Sequence, residues 1–384
     1  MNFDYETPFR SLYIHWPFCP YRCHFCPFVA LAGQDEYMLQ YHDALVKEIQ
    51  YFFDHYRLVQ QEIDTVFLGG GTPSTYPTDL LLDTFIILKK NLHFQKDAEI
   101  TIEVNPGTVI EKQVLEWVKM GINRVSVGVQ SLKDGVLHEL NRMQTKQQVI
   151  TLMDFLPHYI ENISVDLIMG LPGVLLQDWQ SYLQEIITWP IKHISVYFLT
   201  IHEDTKLFFT IEKGKVSLPS DDYMLECYEW TVDFLKKNGF EQYELSNFAR
   251  VGYQSRHNSI YWDRKPFKAF GLGACSFDGK ARMQNEKNLQ SYLKYVATKE
   301  PLLYYETLTV QQIRLEKALL GLRRSIGVCL NEISLYLSEE QKLKLNEEIC
   351  QLCEAGFMTS DGKVIRLTQR GLIVENQILA RLSI

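Results

Sequence analysis

No apolar run in this 384-residue chain is long enough to cross a bilayer. Met1–Arg10 is acidic and polar, without the basic-then-apolar pattern of a secretory leader. Positive charge is not in excess either. The chain carries 39 Lys and Arg against 47 Asp and Glu, a formal charge of -8. That balance argues against a broad nucleic-acid footprint. The eight cysteines show no pairing pattern, which suits a reducing compartment and a cytoplasmic location. What the chain has in quantity is apolar and aromatic residues: 46% hydrophobic, with 21 Tyr, 21 Phe and 6 Trp. This supports a large core and two or three domains. The aromatics can fill that core or line a planar ligand.

One cysteine pattern stands out. Cys19, Cys23 and Cys26 are spaced C-x3-C-x2-C directly after an apolar run, Tyr13–Trp16. Three thiolates can hold three irons of a cubane iron–sulfur cluster. A fourth protein ligand is lacking, because Phe28 and the residues after it offer no sulfur. The fourth iron is thereby left for a small molecule. Zinc asks for four ligands and paired C-x2-C knuckles. The second C-x2-C, Cys350 and Cys353, sits in a helical stretch with no partner pair and reads as structural. The three-cysteine segment resembles the radical S-adenosylmethionine (SAM) superfamily. The resemblance implies a [4Fe-4S] cluster whose open iron is chelated by SAM, and electron transfer that releases a 5′-deoxyadenosyl radical.

The first half of the chain alternates strand and helix. Strands are expected at Leu12–Trp16, Thr65–Leu68, Glu99–Val104, Arg124–Val129, Ile163–Met169 and Ile194–Leu199. Helices are expected at Asp35–His55, Leu80–Lys90, Lys112–Met120, 147–157 and 175–187. Six such units imply a parallel α/β sheet with crossover helices, and a partial (β/α)6 barrel fits best. That is also the fold the resemblance implies. Residues 1–200 are taken as this core, 201–305 as an α/β extension and 306–384 as a small C-terminal domain. In the extension, Asp222–Lys237 reads as a helix and Gly239–Leu245 as a turn and strand. In the last segment, Gln311–Leu322 and Glu339–Glu354 read as helices. Phe357–Leu367 reads as a hairpin about a two-residue Asp361-Gly362 turn, and Thr368 as the cap of a final helix. Helices plus a hairpin suggest a winged-helix-like module, used for docking or as a lid in so acidic a chain.

Polar residues recur at the strands' C-terminal ends, where such sheets place their sites. Gly69-Gly70-Gly71-Thr72-Pro73-Ser74 follows the second strand, and its backbone can approach a ligand closely. Glu103, Gln130, Arg142 and Asp166 lie in or just after apolar strands. A charge there is costly without a partner. The partner is either another residue of a structural network or a ligand.

Over nearly its whole length the chain resembles the oxygen-independent coproporphyrinogen III oxidase family. Tyr13, GGGTPS, Glu103, Gln130, Arg142, Asp166 and Gly170-Leu171-Pro172-Gly173 fall in register. The resemblance implies that Tyr13, Phe25, Gly70, Gly71, Thr72, Glu103, Gln130, Arg142 and Asp166 contact SAM, with Glu103 or Asp166 on the ribose and Arg142 on the carboxylate. It points to no catalytic residue. The oxidase branch carries a further cysteine where this chain has Phe28. The segment His257-Asn258-Ser259-Ile260-Tyr261-Trp262 resembles instead the HNxxYW signature of the haem-chaperone branch. There the resemblance implies haem and a haem-acceptor protein as partners, with an electron donor for the cluster. An imidazole such as His257 can ligate haem iron, and Tyr261 and Trp262 can stack on a macrocycle. Taken alone, His257 reads better as a hydrogen-bonded structural histidine. Two positions depart from the chaperone pattern. Asn141-Arg142-Met143-Gln144 is nearer the oxidases, and Pro27 stands where many relatives carry Asp. A radical methyltransferase acting on haem, a third class, finds no further nucleophilic cysteine pattern in its favour.

Overall fold

The structure is a computed structural model that describes residues 8–56, 61–298 and 304–383. Met1–Thr7, most of the stretch read for a leader, lies outside the described residues. Six strands form the parallel centre of one sheet: β1 (Ser11–Trp16), β2 (Gln61–Gly70), β3 (Leu92–Val104), β4 (Arg124–Gln130), β5 (Asn162–Met169) and β6 (His193–Phe198). They pair in chain order. The crossovers contain α1 (Met38–Tyr56), α2 (Thr78–Asn91), α3 (Glu111–Met120), α4 (Lys146–Phe155) and α5 (Leu176–Ile186). Gly121, at φ 98°, ends α3 in the left-handed conformation that favours glycine. A short helix, Asp134–Glu139, precedes α4 and has no counterpart in the sequence reading. Among the described residues, no helix is long and apolar enough to cross a membrane.

Strand alternation divides the side chains cleanly. One face carries Leu12, Ile14, Val66, Leu68, Ile100, Ile102, Val125, Val127, Ile163, Val165, Leu167, Ile194 and Val196, all buried in the main core. The opposite face is polar and aromatic. In register across the strands stand Tyr13 and Phe67, then Thr101, Arg124 and Asn162, then Glu103, Ser126, Ser164 and His193, then Gly128, Asp166 and Ser195. Many barrels fill their interior with Val, Ile and Leu. This one lines its interior with hydrogen-bonding groups.

The stretch after β6 is less separate than its composition suggests. Following α6 (Asp221–Lys237) come strands β7 (Glu241–Gln242) and β8 (Asn247–Ala249); β8 pairs antiparallel with β6, and β7 pairs antiparallel with β8 at the sheet's edge. Strand β9 (Lys268–Phe270) pairs parallel to β1 at the other edge. The sheet thus has nine strands, and both edges of its centre are covered from within 201–305. Between β8 and β9 lies α7 (Arg256–Trp262), which carries the HNxxYW segment.

The C-terminal residues have a core of their own, including Leu322, Val328, Leu345, Ile349, Met358, Ile365 and Ile378. Helices Val310–Leu322 and Glu339–Glu354 pack with a three-stranded sheet. The hairpin connects Met358–Ser360 to Val364–Leu367, so its loop has three residues rather than the expected two. Lys363 joins the turn because the Asp361 carboxylate accepts from both the Lys363 and Val364 amides. Thr368 does cap a helix, but that helix ends at Ile373 and a second spans Glu375–Leu382.

Trp16, at the end of β1, ties the core to the start of the cysteine loop. It is fully buried, stacks on Tyr76 at 3.7 Å and donates through its indole N–H to Thr75 Oγ1 at 3.0 Å. Trp16→Ala should therefore cost about 3–5 kcal/mol in denaturant unfolding. A loss near zero contradicts this packing.

Candidate functional site

The loop after β1 brings Cys19, Cys23 and Cys26 to the rim of a cavity of about 390 Å³ at the C-terminal ends of the strands. Phe25, Gly70, Gly71, Thr72, Glu103, Gln130, Arg142 and Asp166 line the same cavity. Of the twelve residues expected around the cluster and SAM, eleven border this cavity and Tyr13 does not; Gln130 does so with φ 63°, a strained conformation held at the site. All eight cysteines are free thiols. Among the described residues, no group of three His, Cys, Asp or Glu gathers tightly enough to hold one metal ion. A cubane, by contrast, takes one thiolate per iron, and three thiols around one cavity fit that demand. Burial pushes the Cys19 thiol up to about 11, although Thr72 Oγ1, 3.3 Å from its sulfur, favours the thiolate. Burial raises Cys26 as well. Iron must supply the charge that stabilises these thiolates.

The loop is held in place by the element that departs from the chaperone pattern. Asn141, at φ 57°, donates its side-chain amide to the Arg22 carbonyl at 2.8 Å. Arg22 in turn donates to the carbonyls of Cys26, Phe28 and Ala30. Arg142 reaches Cys23 Sγ at 3.8 Å and the Gly128 carbonyl, while Gln144 Oε1 accepts from Arg142 Nε and Nη2. The His24 amide donates to the Leu140 carbonyl. Asn141-Arg142-Met143-Gln144 is thus a brace for the cysteine loop. Gln144 is a positioning residue whose role the sequence reading lacked.

Gly70 and Gly71 line the cavity and also make room within the chain. A Cβ on Gly71 would come within 2.4 Å of the Pro17 carbonyl oxygen, and one on Gly70 within 2.6 Å of the His15 ring. They thus permit close approach to the chain's own β1 and cysteine loop. Gly70 N donates to Glu103 Oε2 at 3.1 Å. Burial, reinforced by Asp166, pushes the Glu103 carboxyl up to about 8. Asp166 is raised too, chiefly by burial, although Ser126 Oγ donates to its Oδ2 at 2.8 Å. Its other oxygen, Oδ1, is buried with no partner. Two desolvated carboxyls, one with an orphaned acceptor, fit a ligand that brings hydroxyls and positive charge. SAM has both. The sequence reading also lacked Tyr21, Asn105 and Tyr197, which line the cavity. The Asn105 amide donates to the Tyr21 hydroxyl.

Tyr13 is not in this cavity. It lies behind Gly70 and Glu103, in a second and more open one of about 430 Å³, with His15, Phe28, Tyr261, Phe267, Cys275, Gln284 and Lys287. Pro27, Phe28, Gly70 and Glu103 border both. His257 lines neither. It is fully buried, stacked on Phe67, with Nδ1 2.8 Å from Thr65 Oγ1 and Nε2 2.8 Å from the Tyr261 hydroxyl. Burial, then Arg124, pushes it down to about 3, so the ring is neutral. This corrects the expectation of a direct His257–iron bond, because both ring nitrogens are taken inside the protein. Asn258 and Trp262 border neither cavity, and the Trp262 indole N–H is buried without a partner. Of the four HNxxYW residues, only Tyr261 borders either of these two cavities.

Fold and site together define a radical SAM protein. Residues 13–186 match the model of the Radical SAM superfamily. The chain is 34% identical over 328 residues to the heme chaperone HemW of Synechocystis sp., covering 83% of this chain and 79% of that protein. It is 28% identical to the HemW of Lactococcus lactis, covering 97% of each. It is 31% identical to the zebrafish (Danio rerio) protein named radical S-adenosyl methionine domain-containing protein 1, mitochondrial, covering 96% of this chain and 86% of that one. Among solved structures, coproporphyrinogen III oxidase (HemN) from Escherichia coli superposes with a TM-score of 0.84, over 98% of this chain and 91% of that one. At 22% identity this likeness is one of fold. The chain belongs to the HemW family of radical SAM proteins.

Two outcomes follow from the site. Anaerobic reconstitution should give about four irons per chain. Ala at Cys19, Cys23 or Cys26 should abolish this, whereas Ala at Cys227, Cys275, Cys329, Cys350 or Cys353 should not. A normal iron content in Cys23→Ala contradicts the assignment. The second outcome is pH dependence. With its carboxyl raised to about 8, Glu103 is protonated in the free protein at pH 7. A cationic ligand favours the ionised form, so SAM binding should release a proton below pH 8 and tighten as pH rises from 6 to 8. Isothermal titration in buffers of different ionisation enthalpy reads that proton. Glu103→Gln should flatten the profile, and an unchanged slope in that variant contradicts the role.

Proposed function

We propose that this chain is a haem chaperone: it binds haem and passes it to acceptor proteins on a radical SAM scaffold that also carries a [4Fe-4S] cluster and SAM. The observation that carries this reading is the likeness to proteins named heme chaperone HemW along almost the full length of both chains. The second cavity supports it. Tyr13, Phe28, Tyr261 and Phe267 give it aromatic walls, Lys287 and Gln284 give it polar groups for propionates, and it adjoins the first cavity. When bound, the cluster and SAM supply one-electron reduction of a sulfonium. The chain's own residues do the rest: the Asn141–Gln144 brace fixes the loop, and Glu103 and Asp166 meet the ligand's polar groups.

In this reading residues 1–200 form the catalytic-type core, 201–305 carry the HNxxYW segment against it, and 306–384 form a winged-helix-like module for docking or covering. The last two are joined by the Leu245 amide to the Arg323 carbonyl at 2.9 Å and by Arg264 and Arg282 on Glu316. The partners are haem, an acceptor protein and an electron donor, with no nucleic acid, and the location is cytoplasmic. The alternative is an oxygen-independent coproporphyrinogen III oxidase, favoured by the N-R-x-Q element. Its bracing role weakens it as a sign of that reaction.

The test uses one anaerobically reconstituted sample. It should bind haem near-stoichiometrically and, with SAM and reductant, form no protoporphyrinogen from coproporphyrinogen III. Robust decarboxylation overturns the chaperone reading in favour of the oxidase.

A further inference from the structure

The second cavity presents two phenols, Tyr13 and Tyr261, and each is backed by an imidazole. The Tyr13 hydroxyl lies 3.1 Å from His15 Nδ1, and the Tyr261 hydroxyl 2.8 Å from His257 Nε2. The two pairs differ in what holds the far nitrogen. His15 Nε2 is 2.9 Å from the Val29 carbonyl, which can only accept. The proton of that ring therefore sits on Nε2, and Nδ1 is left as an acceptor for the Tyr13 O–H. Tyr13 is held as a phenol. His257 Nδ1 instead meets the Thr65 hydroxyl at 2.8 Å, and a hydroxyl can donate. With Thr65 donating, the His257 proton sits on Nε2 and points at the Tyr261 oxygen. That arrangement suits an oxygen bound to a metal ion, and the imidazole stays neutral throughout. Burial, then Cys275 and Glu103, raises the free Tyr261 phenol well above its ordinary range, so the iron itself must draw off the proton.

Packing fixes the pair further. His257 is fully buried, stacked on Phe67 at 5.1 Å and edge-on to Tyr261 at 88°. Phe267, on the cavity wall, meets the Tyr261 ring edge-on at 4.7 Å. Residues 257 and 261 are one helical turn apart on α7, so the helix itself sets their spacing. An anionic oxygen is a hard donor suited to ferric iron, and tyrosinate is an established protein ligand for ferric haem.

We propose that Tyr261, and not His257, is the axial ligand to ferric haem in the second cavity, with His257 as the positioning residue that orients it and donates to its oxygen. This rests on the haem-chaperone reading above. On ligation the Fe–O bond forms as the phenolic O–H breaks. The proton leaves to water at the open side of the cavity, and the iron stays ferric. Part of the HNxxYW segment is thereby explained without any histidine–iron bond: its His and Tyr are a ligand and the group behind it.

The experiment is resonance Raman and paramagnetic resonance of the full chain loaded with ferric haem. Wild type should show phenolate vibrations enhanced through a phenolate-to-iron charge-transfer band. Tyr261→Phe should lose them, whereas Tyr13→Phe and Cys275→Ser should keep them. His257→Ala should keep the phenolate signature with affinity lower by roughly 10–100-fold, the usual effect of removing a group behind a metal ligand. An imidazole or thiolate signature in wild type, or an unchanged signature in Tyr261→Phe, overturns the assignment. The wild-type spectrum decides the ligand class by itself, whether or not His257→Ala folds. Failure of wild type to take up haem is a separate result: it overturns the chaperone reading, and the ligand assignment with it.

Discussion

Burying a polar group without a partner costs about 1–3 kcal/mol, and the inner face of this barrel buries a whole set of them. The outer face meets its helices mainly with Leu, Ile and Val, joined by Trp16 and Met169, so the stability of the sheet comes from that side. The inner face is then free to be polar, provided each group finds a donor or acceptor. Several do so within the chain, as with Ser164 and His193 at 2.7 Å, Ser126 and Asp166 at 2.8 Å, and Thr65 and His257 at 2.8 Å. Others do not: Asp166 Oδ1, Thr101 Oγ1 and Arg124 Nε are buried and unpartnered. The unpaired acceptor at the top of the barrel, beside the cysteine loop, is where a ligand completes the accounting.

The same constraint arranges the two cavities. Glu103 and Gly70 form the wall between them, joined by a hydrogen bond from the Gly70 amide. A ligand that changes the charge on Glu103 in the first cavity therefore changes the wall of the second. Phe28 borders both and is 65% exposed. Arg22 donates to its backbone carbonyl and so ties this residue to the cysteine loop. The position that separates this chain from the oxidase pattern thus lies at the mouth shared by the two sites.

The six central strands are legible as short apolar runs set between helical patterns, and the cysteine loop because its spacing is specific. The edge strands are not, since two or three residues carry no period: Asn247–Ala249 and Lys268–Phe270 owe their form to the sheet they join. The family resemblance alone puts Tyr13 among the SAM contacts. Alternation gives the face but not the sector of the barrel, and Tyr13 stands on the far side of Glu103. The brace at Asn141–Gln144 was visible as a motif, but its meaning came only from contacts across more than a hundred residues, such as Asn141 to Arg22. His257 was singled out for its chemistry. The signal that would have placed it was its spacing from Tyr261, four residues apart on one helical face.

The central claim is that one scaffold holds a cluster with SAM in one cavity and haem in its neighbour, divided by Glu103 and Gly70. A crystal structure of the anaerobically reconstituted chain, soaked with SAM and haem, tests this directly. The account predicts iron–sulfur density at Cys19, Cys23 and Cys26, and the haem iron between Tyr13 and Tyr261 on the other side of Glu103. Haem bound instead on the C-terminal module, or in the first cavity in place of SAM, would contradict it.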